Sequence, residues 1–408
     1  MDAVSSLESF FHPTSIAVVG VTGTADGVTS AGHRFLGRLL QYGYKGEIYP
    51  IHPKGGEAMG LPVFANLQAV PGPVDCVISC LGASRVTELM KDCASKGVKA
   101  VVLFTAGFSE TGRTEAQELE DEVVRIARAA GIRIIGPNCM GVCCPEAGLA
   151  FGADFPRESG HVGLICQSGT NALFSVRAAA ERGVRFSKVV SYGNAGDVDE
   201  CDLLEYLGDD PQTSIVAAYI EGVKDGRRLA SVLKRLSAMK PVIVVKAGIS
   251  QDGARATASH TGSLAGSSSA WDSMLWQSGA IRVRNLDELV DMMVTLSYMR
   301  VPQGKRVGIF GVGGGVSVLA TDECSAAGYA VPPLPQGLRR LLLEAAGSDA
   351  GTMLDNPIDF PFWVAGEEKY RDVVRRLLAW DGIDLLLVLG PLRHTELPLE
   401  VYRQFLDW

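Results

Sequence analysis

The chain has 408 residues, a formal net charge of −8 and 47% hydrophobic residues. This length predicts several domains with sizeable cores, and the acidic balance argues against a general nucleic-acid-binding protein. No apolar run approaches the roughly 18 residues that a transmembrane helix needs, and the N-terminus lacks the layout of a signal peptide. The nine cysteines lie mostly within apolar segments, which favours reduced thiols in a cytoplasmic protein. Because no transmembrane run is found, we expect no membrane partner.

Residues 1–150 alternate between buried strands and helical segments. A first strand at 15–20 leads through a loop of small residues to a helix that ends near residue 42. Further strands are predicted at 46–51, 75–81, 100–105 and 132–135. The alternation predicts an α/β domain with a doubly wound parallel sheet, which binds its ligand at the carboxyl ends of the strands.

The loop after the first strand predicts a phosphate cradle made of backbone N–H groups and the dipole of the next helix. Thr22 stands where the dinucleotide fingerprint has its second glycine, so the full fingerprint is absent. The second strand leads to Lys54 rather than to an acid, which favours a ligand with an extra phosphate, such as NADP or coenzyme A. A solvated loop lysine is the alternative. Cys139 is expected to be a packed thiol, and its cysteine neighbours lack the spacing of a metal site.

The pattern restarts in residues 151–300. A strand at 161–166 precedes Ser168, which is a suitable N-cap for the helix that follows. The Ser168 hydroxyl and the N–H groups of Gly169 and Thr170 favour an anion, although a plain cap explains Ser168 equally well. The acidic stretch 197–205 is interpreted as the solvated start of another helix.

An apolar strand at 241–246 is followed by a predicted linker of small residues, 247–259, and then by His260. Neutral imidazole can accept a phosphoryl group and pass it on, whereas a histidine that only solvates a loop is the alternative. In a parallel sheet the strand ends would gather Ser168, Glu221 and His260 at one edge. A carboxylate there would fix the tautomer of the imidazole and stabilise its cation. Without the other two residues, Glu221 would be interpreted as a solvated loop acid.

Residues 301–408 predict a further α/β segment. Strands are expected at 306–310, near 329–331 and at 384–389, with a helix that follows the glycine run 311–315 and ends near residue 327. The glycines can form an anion nest or permit close packing against a neighbouring subunit. This last domain looks short or truncated.

Six motifs in this order resemble the CoA-binding part of the NDP-forming acyl-CoA synthetases, the superfamily that includes succinyl-CoA synthetase. They are Phe10 to Gly20, Lys54 to Gly56 with Gly60 to Phe64, Gly136 to Cys139, Gln167 to Thr170, Tyr219 to Gly226, and Ser259 to Gly266. The resemblance covers nearly the whole chain. It implies a Rossmann-like CoA-binding domain followed by two flavodoxin-like domains.

The resemblance also implies a mechanism. Acyl phosphate phosphorylates His260, Glu221 steadies the histidine, and the helix start at Ser168, Gly169 and Thr170 holds the phosphate. An ATP-grasp partner with Mg²⁺ then exchanges the phosphoryl group with ATP and ADP, and the assembly is expected to be oligomeric. The positions that match the family's CoA contacts are Gly20, Val21, Thr22, Gly23, Lys54, Thr105, Gly107 and Asn138.

Two departures from the family pattern matter. No ATP-grasp domain is recognisable in these residues, and Ala106 stands where succinyl-CoA synthetases have an acid, which weakens the case for succinate. Two other functions stay open at this point: a CoA or nucleotide sensor without turnover, and an NADP oxidoreductase. The presence of both His260 and Glu221 argues against the sensor, and the missing fingerprint glycine argues against the oxidoreductase.

Overall fold

A computed structural model describes residues 3–22, 30–261, 267–311, 313–347, 353–359 and 367–389. The chain divides into two compact units, Met1–Met299 and Arg300–Trp408. Both contain strands and helices in alternation, which confirms the α/β class. The finer division at residues 150 and 300 into three domains stays a prediction. None of the described helices is both long and apolar enough to cross a membrane.

The first sheet of the larger unit consists of five parallel strands. Its elements, with the helices and the short antiparallel hairpin β3–β4 between them, are α1 (Ala3–Phe11), β1 (Ser15–Val19), α2 (Ala31–Tyr42), β2 (Glu47–Ile51), β3 (Gly56–Ala58), β4 (Leu61–Val63), β5 (Cys76–Ser79), α3 (Val86–Lys96), β6 (Ala100–Leu103), α4 (Thr114–Ala129) and β7 (Arg133–Ile135). The strand order is β2-β1-β5-β6-β7. Successive strand residues face opposite sides, so Ile16 and Val18 join one core whereas Ala17 and Val19 join another.

The second sheet of this unit has six strands. Its elements are β8 (Gly141–Cys143), β9 (Val162–Cys166), α5 (Gly169–Glu181), β10 (Phe186–Ser191), α6 (Glu200–Asp209), β11 (Ile215–Ile220), α7 (Gly226–Ser237), β12 (Val242–Lys246), α8 (Gln251–Thr261), α9 (Ser268–Ser278), β13 (Ile281–Val283) and α10 (Leu286–Tyr298). The strand order is β13-β12-β11-β9-β10-β8. Only β8 pairs antiparallel among these described strands. The predicted parallel arrangement of β9, β11 and β12 is therefore confirmed.

The segment before His260 is a helix, so the predicted linker at 247–259 is wrong. The helix α8 begins beside Ser250, whose Oγ accepts a hydrogen bond from the N–H of Gly253 at 3.0 Å. Many of its residues are alanine, serine or threonine, and such small side chains give little amphipathic pattern by which a helix can be recognised. His260 consequently lies in the last turn of a helix.

The acidic stretch 197–205 starts a helix, as predicted, but it is largely buried rather than solvated. Asp199 caps α6 by accepting from the N–H of Asp202. Arg133 of β7 bridges Asp197 and Asp202 at 2.8 Å each. Arg228 of α7 binds the other oxygen of Asp202 at 2.6 Å. Because arginines from other elements pair with these acids, the acids can be buried, and they tie the two sheets together.

Glu200 predicts a pH-dependent stability. It is 2% exposed, and burial raises the pKa of its carboxyl group from 4.5 to about 7. The folded state therefore binds this proton more tightly than the unfolded state, and stability falls as the pH rises from 4.5 to about 7. We expect Glu200→Gln to unfold like the wild type near pH 4 and to be about 3 kcal/mol more stable at pH 9. Urea unfolding at both pH values measures this difference. The exposed Glu118→Gln is the control, and an equal gain at both pH values would contradict the prediction.

The smaller unit contains a four-stranded sheet. Its described elements are β14 (Val307–Gly311), α11 (Gly314–Ala326), α12 (Gln336–Ala346), β15 (Met353–Leu354), β16 (Ile358–Asp359), α13 (Glu367–Leu378) and β17 (Leu385–Val388). The strand order is β15-β16-β14-β17. The strand predicted near 329–331 is wrong, because only an isolated bridge between Arg306 and Ala330 forms there. In the glycine run, the Gly313 N–H donates to Asp359 at 2.8 Å.

Candidate active site

The start of α5 lies directly after the fully buried strand β9. Ser168 is the N-cap, and its Oγ accepts from the N–H of Asn171 at 3.3 Å, so the predicted cap is confirmed. The first N–H groups of a helix, here those of Gly169 and Thr170, have no acceptor within the helix and lie at the positive end of its dipole. This turn can therefore bind an anion such as phosphate.

Gln167 joins the end of β9 to the end of β11. Its Oε1 accepts from the N–H of Glu221 at 2.7 Å and from the N–H of Gly222 at 3.1 Å. Gln167 and Glu221 are each 6% exposed. Glu221 is therefore buried, and the alternative interpretation as a solvated loop acid is wrong. Burial, together with the charge of Glu221 and a hydrogen bond to it, raises the pKa of the Tyr219 hydroxyl above its usual range. Glu221 is thus a buried acid at the carboxyl end of β11, on the same edge of the sheet as Ser168.

Lys246 at the end of β12 approaches the same turn. Its Nζ donates to the carbonyl of Glu221 at 2.7 Å and also to the carbonyl of Ala247. It lies 5.1 Å from the ring centre of Trp271. Burial lowers the pKa of Lys246 from 10.5 to about 8, against the attraction of Glu221. Lys246 therefore fixes the backbone of the Glu221 turn and places a positive charge close to it.

The backbone of His260 belongs to α8, whereas its side chain and residues 262–266 lie outside the described residues. The helix α8 packs against the turn Ser109–Thr111 of the first sheet. Thr257, one turn before His260, is 7% exposed. The helix that carries His260 is therefore packed against the loop that follows β6.

A cavity of about 530 Å³ lies where loops of the two sheets meet. One side comes from the strand ends of the first sheet and contains Thr105, Ala106 and Asn138, while the other is the turn from Gln167 to Thr170. The structure thus brings together five of the predicted site residues: Thr105, Asn138, Ser168, Gly169 and Thr170. None of the described residues around this cavity has a charged side chain.

The loop after Thr105 is held by two acids. The N–H groups of Gly107 and Phe108 donate to the carboxylate of Glu110. The buried Glu120 accepts from the N–H of Ser109 at 3.1 Å and from Asn194 Nδ2 at 3.1 Å. Gly107 is not among the described residues that line the cavity. Its predicted contact with CoA stays a prediction.

A second cavity of about 370 Å³ lies at the first loop of the Rossmann-like sheet. Gly20 and Thr22 line it, together with His52 and Arg85. Gly20 has φ +96°, and a Cβ atom on Gly32 of α2 would lie 2.5 Å from the Gly20 carbonyl oxygen, so helix and loop approach closely. Cys80 and Leu81 line this cavity and the larger one. The two cavities are therefore neighbours with a common wall.

The other predicted residues of the first domain have different positions. Val21 is buried at 1% exposure, and Lys54 is exposed beside the second cavity, where its N–H donates to His52 Nδ1 at 3.3 Å. Gly23 lies outside the described residues.

Cys139 is 4% exposed, and burial raises the pKa of its thiol to about 12. The predicted packed thiol is confirmed. No group of three or more metal-binding side chains occurs among the residues described.

Known proteins are similar to this chain in both sequence and fold. A CoA binding domain matches residues 14–145, and a succinyl-CoA ligase like flavodoxin domain matches residues 159–296. The alpha subunit of ADP-forming acetate–CoA ligase I from Pyrococcus furiosus is 37% identical over 94% of this chain and 82% of its own length. The chain belongs to the ADP-forming acyl-CoA synthetase family. The resemblance inferred from the six motifs is therefore confirmed.

Two further known proteins match over the same extent. The alpha subunit of acetate–CoA ligase II from Pyrococcus furiosus is 36% identical, over 94% of this chain and 82% of its own length. The acetyl-coenzyme A synthetase 1 of Ca. Korarchaeum cryptofilum, solved in complex with phosphate and ADP, has a TM-score of 0.83 and 34% identity. That match covers 94% of this chain and 82% of the other. Members of the family are acid–thiol ligases, so this chain belongs to an enzyme.

Sequence reasoning missed Gln167, which lies in one of the six motifs, and Lys246, which ends the strand predicted at 241–246. Gln167 immediately precedes the cap Ser168, and Lys246 ends an otherwise apolar strand. A charged residue at the carboxyl end of a buried strand is a usable signal for a site. The sequence gives no comparable signal for the hydrogen bonds from Asn194 to Glu110 and Glu120, because Asn194 is distant from both acids in the sequence.

Proposed function

We propose that this acyl-CoA synthetase chain converts acyl-CoA and phosphate into a free acid and CoA while it phosphorylates His260. CoA would extend across the two neighbouring cavities, with its nucleotide end near Gly20 and Thr22 and its thioester near Asn138 and the start of α5. The observation that carries this proposal is the 530 Å³ cavity, which combines loops of the CoA-binding sheet with the anion-binding turn at Ser168.

The chemistry follows from this placement. A phosphate oxygen held at the N–H groups of Gly169 and Thr170 attacks the thioester carbon, and the carbon–sulfur bond breaks to release CoA. A nitrogen of His260 then attacks phosphorus, and the acid leaves with the bridging oxygen. Glu221 stabilises the cationic imidazole through its negative charge. Each step keeps the phosphoryl group activated instead of losing it to water.

The second half of the reaction requires a nucleotide site. We propose that an ATP-grasp partner, as a subunit or a domain, binds ADP and ATP with Mg²⁺ and exchanges the phosphoryl group with phospho-His260. The relatives from Pyrococcus furiosus are named as alpha subunits, which supports a partner. Mg²⁺ would neutralise the nucleotide phosphates there.

The acyl group is proposed to be uncharged. The described residues around the larger cavity include no arginine, lysine or histidine, so the second carboxylate of a dicarboxylic acid would be desolvated without a partner. Ala106 lines this cavity where succinyl-CoA synthetases have an acid. Monocarboxylic acids are consequently the proposed substrate class.

A labelling experiment tests the proposed function. The full chain is incubated with acetyl-CoA and radioactive phosphate, and protein-bound label is measured. We expect a label that is stable in base and labile in acid, as phosphohistidine is, and that depends on acyl-CoA. Binding of CoA without any labelling, across acetyl-, butanoyl- and phenylacetyl-CoA, would overturn the proposal and favour a CoA sensor.

Lys54 gives a separate prediction about CoA binding. If its ammonium group meets the 3′-phosphate of CoA, Lys54→Ala should weaken CoA binding by about tenfold, since one charge-assisted contact is lost. Binding of dephospho-CoA should change by less than about twofold. Calorimetric titration measures both affinities. The exposed Lys45→Ala, before β2, is the matched control, and equal losses for both ligands would reject the contact.

A further inference from the structure

Met140 separates the larger cavity from a small apolar void. It lines the 530 Å³ cavity and also a space of about 30 Å³ behind it. That space lies among apolar side chains of both sheets and their helices, including Phe10, Ile16, Phe35 and Leu39, each at most 8% exposed. Its volume matches that of about one water molecule, and the side chains that line it are apolar.

The position of Met140 is fixed at both ends. Its N–H donates to Ser191 Oγ of β10 at 3.1 Å. Its side chain packs on the first residue of α5, because a Cβ atom on Gly169 would lie 2.5 Å from Met140 Cγ. The side chain therefore lies between the anion-binding turn and the void. An acyl group whose phosphate is held at that turn would reach Met140 within a few atoms.

We propose that Met140 sets the upper limit on the size of the acyl group. Its unbranched thioether side chain closes the acyl end of the cavity, and the apolar void behind it is the space that a longer tail would enter. Methionine fills irregular gaps and adapts easily, but the surrounding core is close-packed. Ala106 and Cys139 also line the cavity but do not reach the void. This inference rests on the proposed function, since it requires the acyl group to lie in this cavity.

The test compares acyl chain lengths within each variant. Single-turnover phosphorylation of the full chain is measured with acetyl-, butanoyl-, hexanoyl- and phenylacetyl-CoA in the presence of phosphate. For Met140→Ala we expect the ratio of hexanoyl-CoA to acetyl-CoA rates to rise at least about tenfold, because each methylene in an apolar pocket changes selectivity by that order. Met140→Leu conserves volume and should keep the ratio of the wild type.

Two further variants make the outcome decisive. Met140→Val shortens the side chain with less loss of packing and serves if Met140→Ala does not fold. Leu173→Ala removes a similar amount of apolar side chain from α5. Leu173 is not among the described residues that line the cavity or the void, so the ratio of hexanoyl-CoA to acetyl-CoA rates should not change in this variant. With an active wild type, an unchanged ratio in Met140→Ala, or in Met140→Val if Met140→Ala does not fold, would overturn the role of Met140 alone. A wild type that is not labelled with any acyl-CoA would instead overturn the proposed function.

Discussion

His260→Ala should abolish protein phosphorylation and lower the overall rate by more than about 10⁴-fold, since removal of a nucleophile leaves only binding and positioning. The variant should still bind CoA, because the two cavities proposed for CoA are built from the first sheet and the start of α5. His260 belongs to α8, the helix that follows β12 in the same parallel sheet as Glu221 and Ser168. Loss of turnover with unchanged CoA affinity is therefore the specific expectation.

A second histidine provides the control for this variant. His161 lies directly before β9, at the amino end of the strand, whereas Ser168 follows its carboxyl end. His161→Ala should retain labelling with acyl-CoA and phosphate. If His260→Ala turned over at a rate within tenfold of His161→Ala, a phosphorylated intermediate on His260 would be rejected.

Glu221→Gln is expected to lower the yield of phosphohistidine by about 100-fold. The amide has nearly the same shape as the carboxylate but lacks the charge that stabilises an imidazolium. The turn itself should persist, because Gln167 binds the N–H groups of residues 221 and 222 and Lys246 binds the carbonyl of residue 221. CoA affinity and the denaturation midpoint should therefore stay close to those of the wild type.

Glu221→Gln needs a control that removes an acid without touching the site. Glu181 is exposed at the end of α5, opposite the anion-binding turn, and Glu181→Gln should leave the yield unchanged. Phosphohistidine yield at one time point and its rise under single turnover measure the effect. An unaltered yield in Glu221→Gln would discard the proposed role of this carboxylate.

The strands that build the site could be predicted from sequence because they are buried on both faces. The runs at β9, β11 and β12 are almost wholly apolar, which is typical of parallel strands covered by helices. Their parallel direction then placed Ser168 and Glu221 at one edge. The cap at Ser168 depends only on local chemistry, so it too could be inferred correctly.

Other features depend on partners that the local sequence does not name. The acids near the start of α6 looked solvated because their arginines come from β7 and α7. The bonds of Gln167 and Lys246 to the Glu221 turn are set by the register of β9, β11 and β12. The surroundings of Met140 could not be predicted because they come from both sheets. Gly169 lies on one side of its side chain, and the void that Phe35 lines lies on the other.

The sequence-based prediction of a linker at the position of helix α8 was wrong for a different reason. Its alanine, glycine, serine and threonine residues resemble a linker, and glycine in particular is a poor helix former. The helix nevertheless packs against the turn Ser109–Thr111, and such tertiary contacts outweigh weak local preference. The histidine was thus recognised by its motif, while the element that carries it was not.

The proposed phosphohistidine is tested most directly by locating the phosphoryl group on the chain. The wild-type protein is incubated with acyl-CoA and phosphate, digested at alkaline pH, and its peptides are analysed by mass spectrometry. We expect a phosphorylated imidazole at His260 that appears only with acyl-CoA and disappears when ADP and an ATP-grasp subunit are added. Product formation during which His260 is never modified would rule out His260 as the phosphoryl carrier.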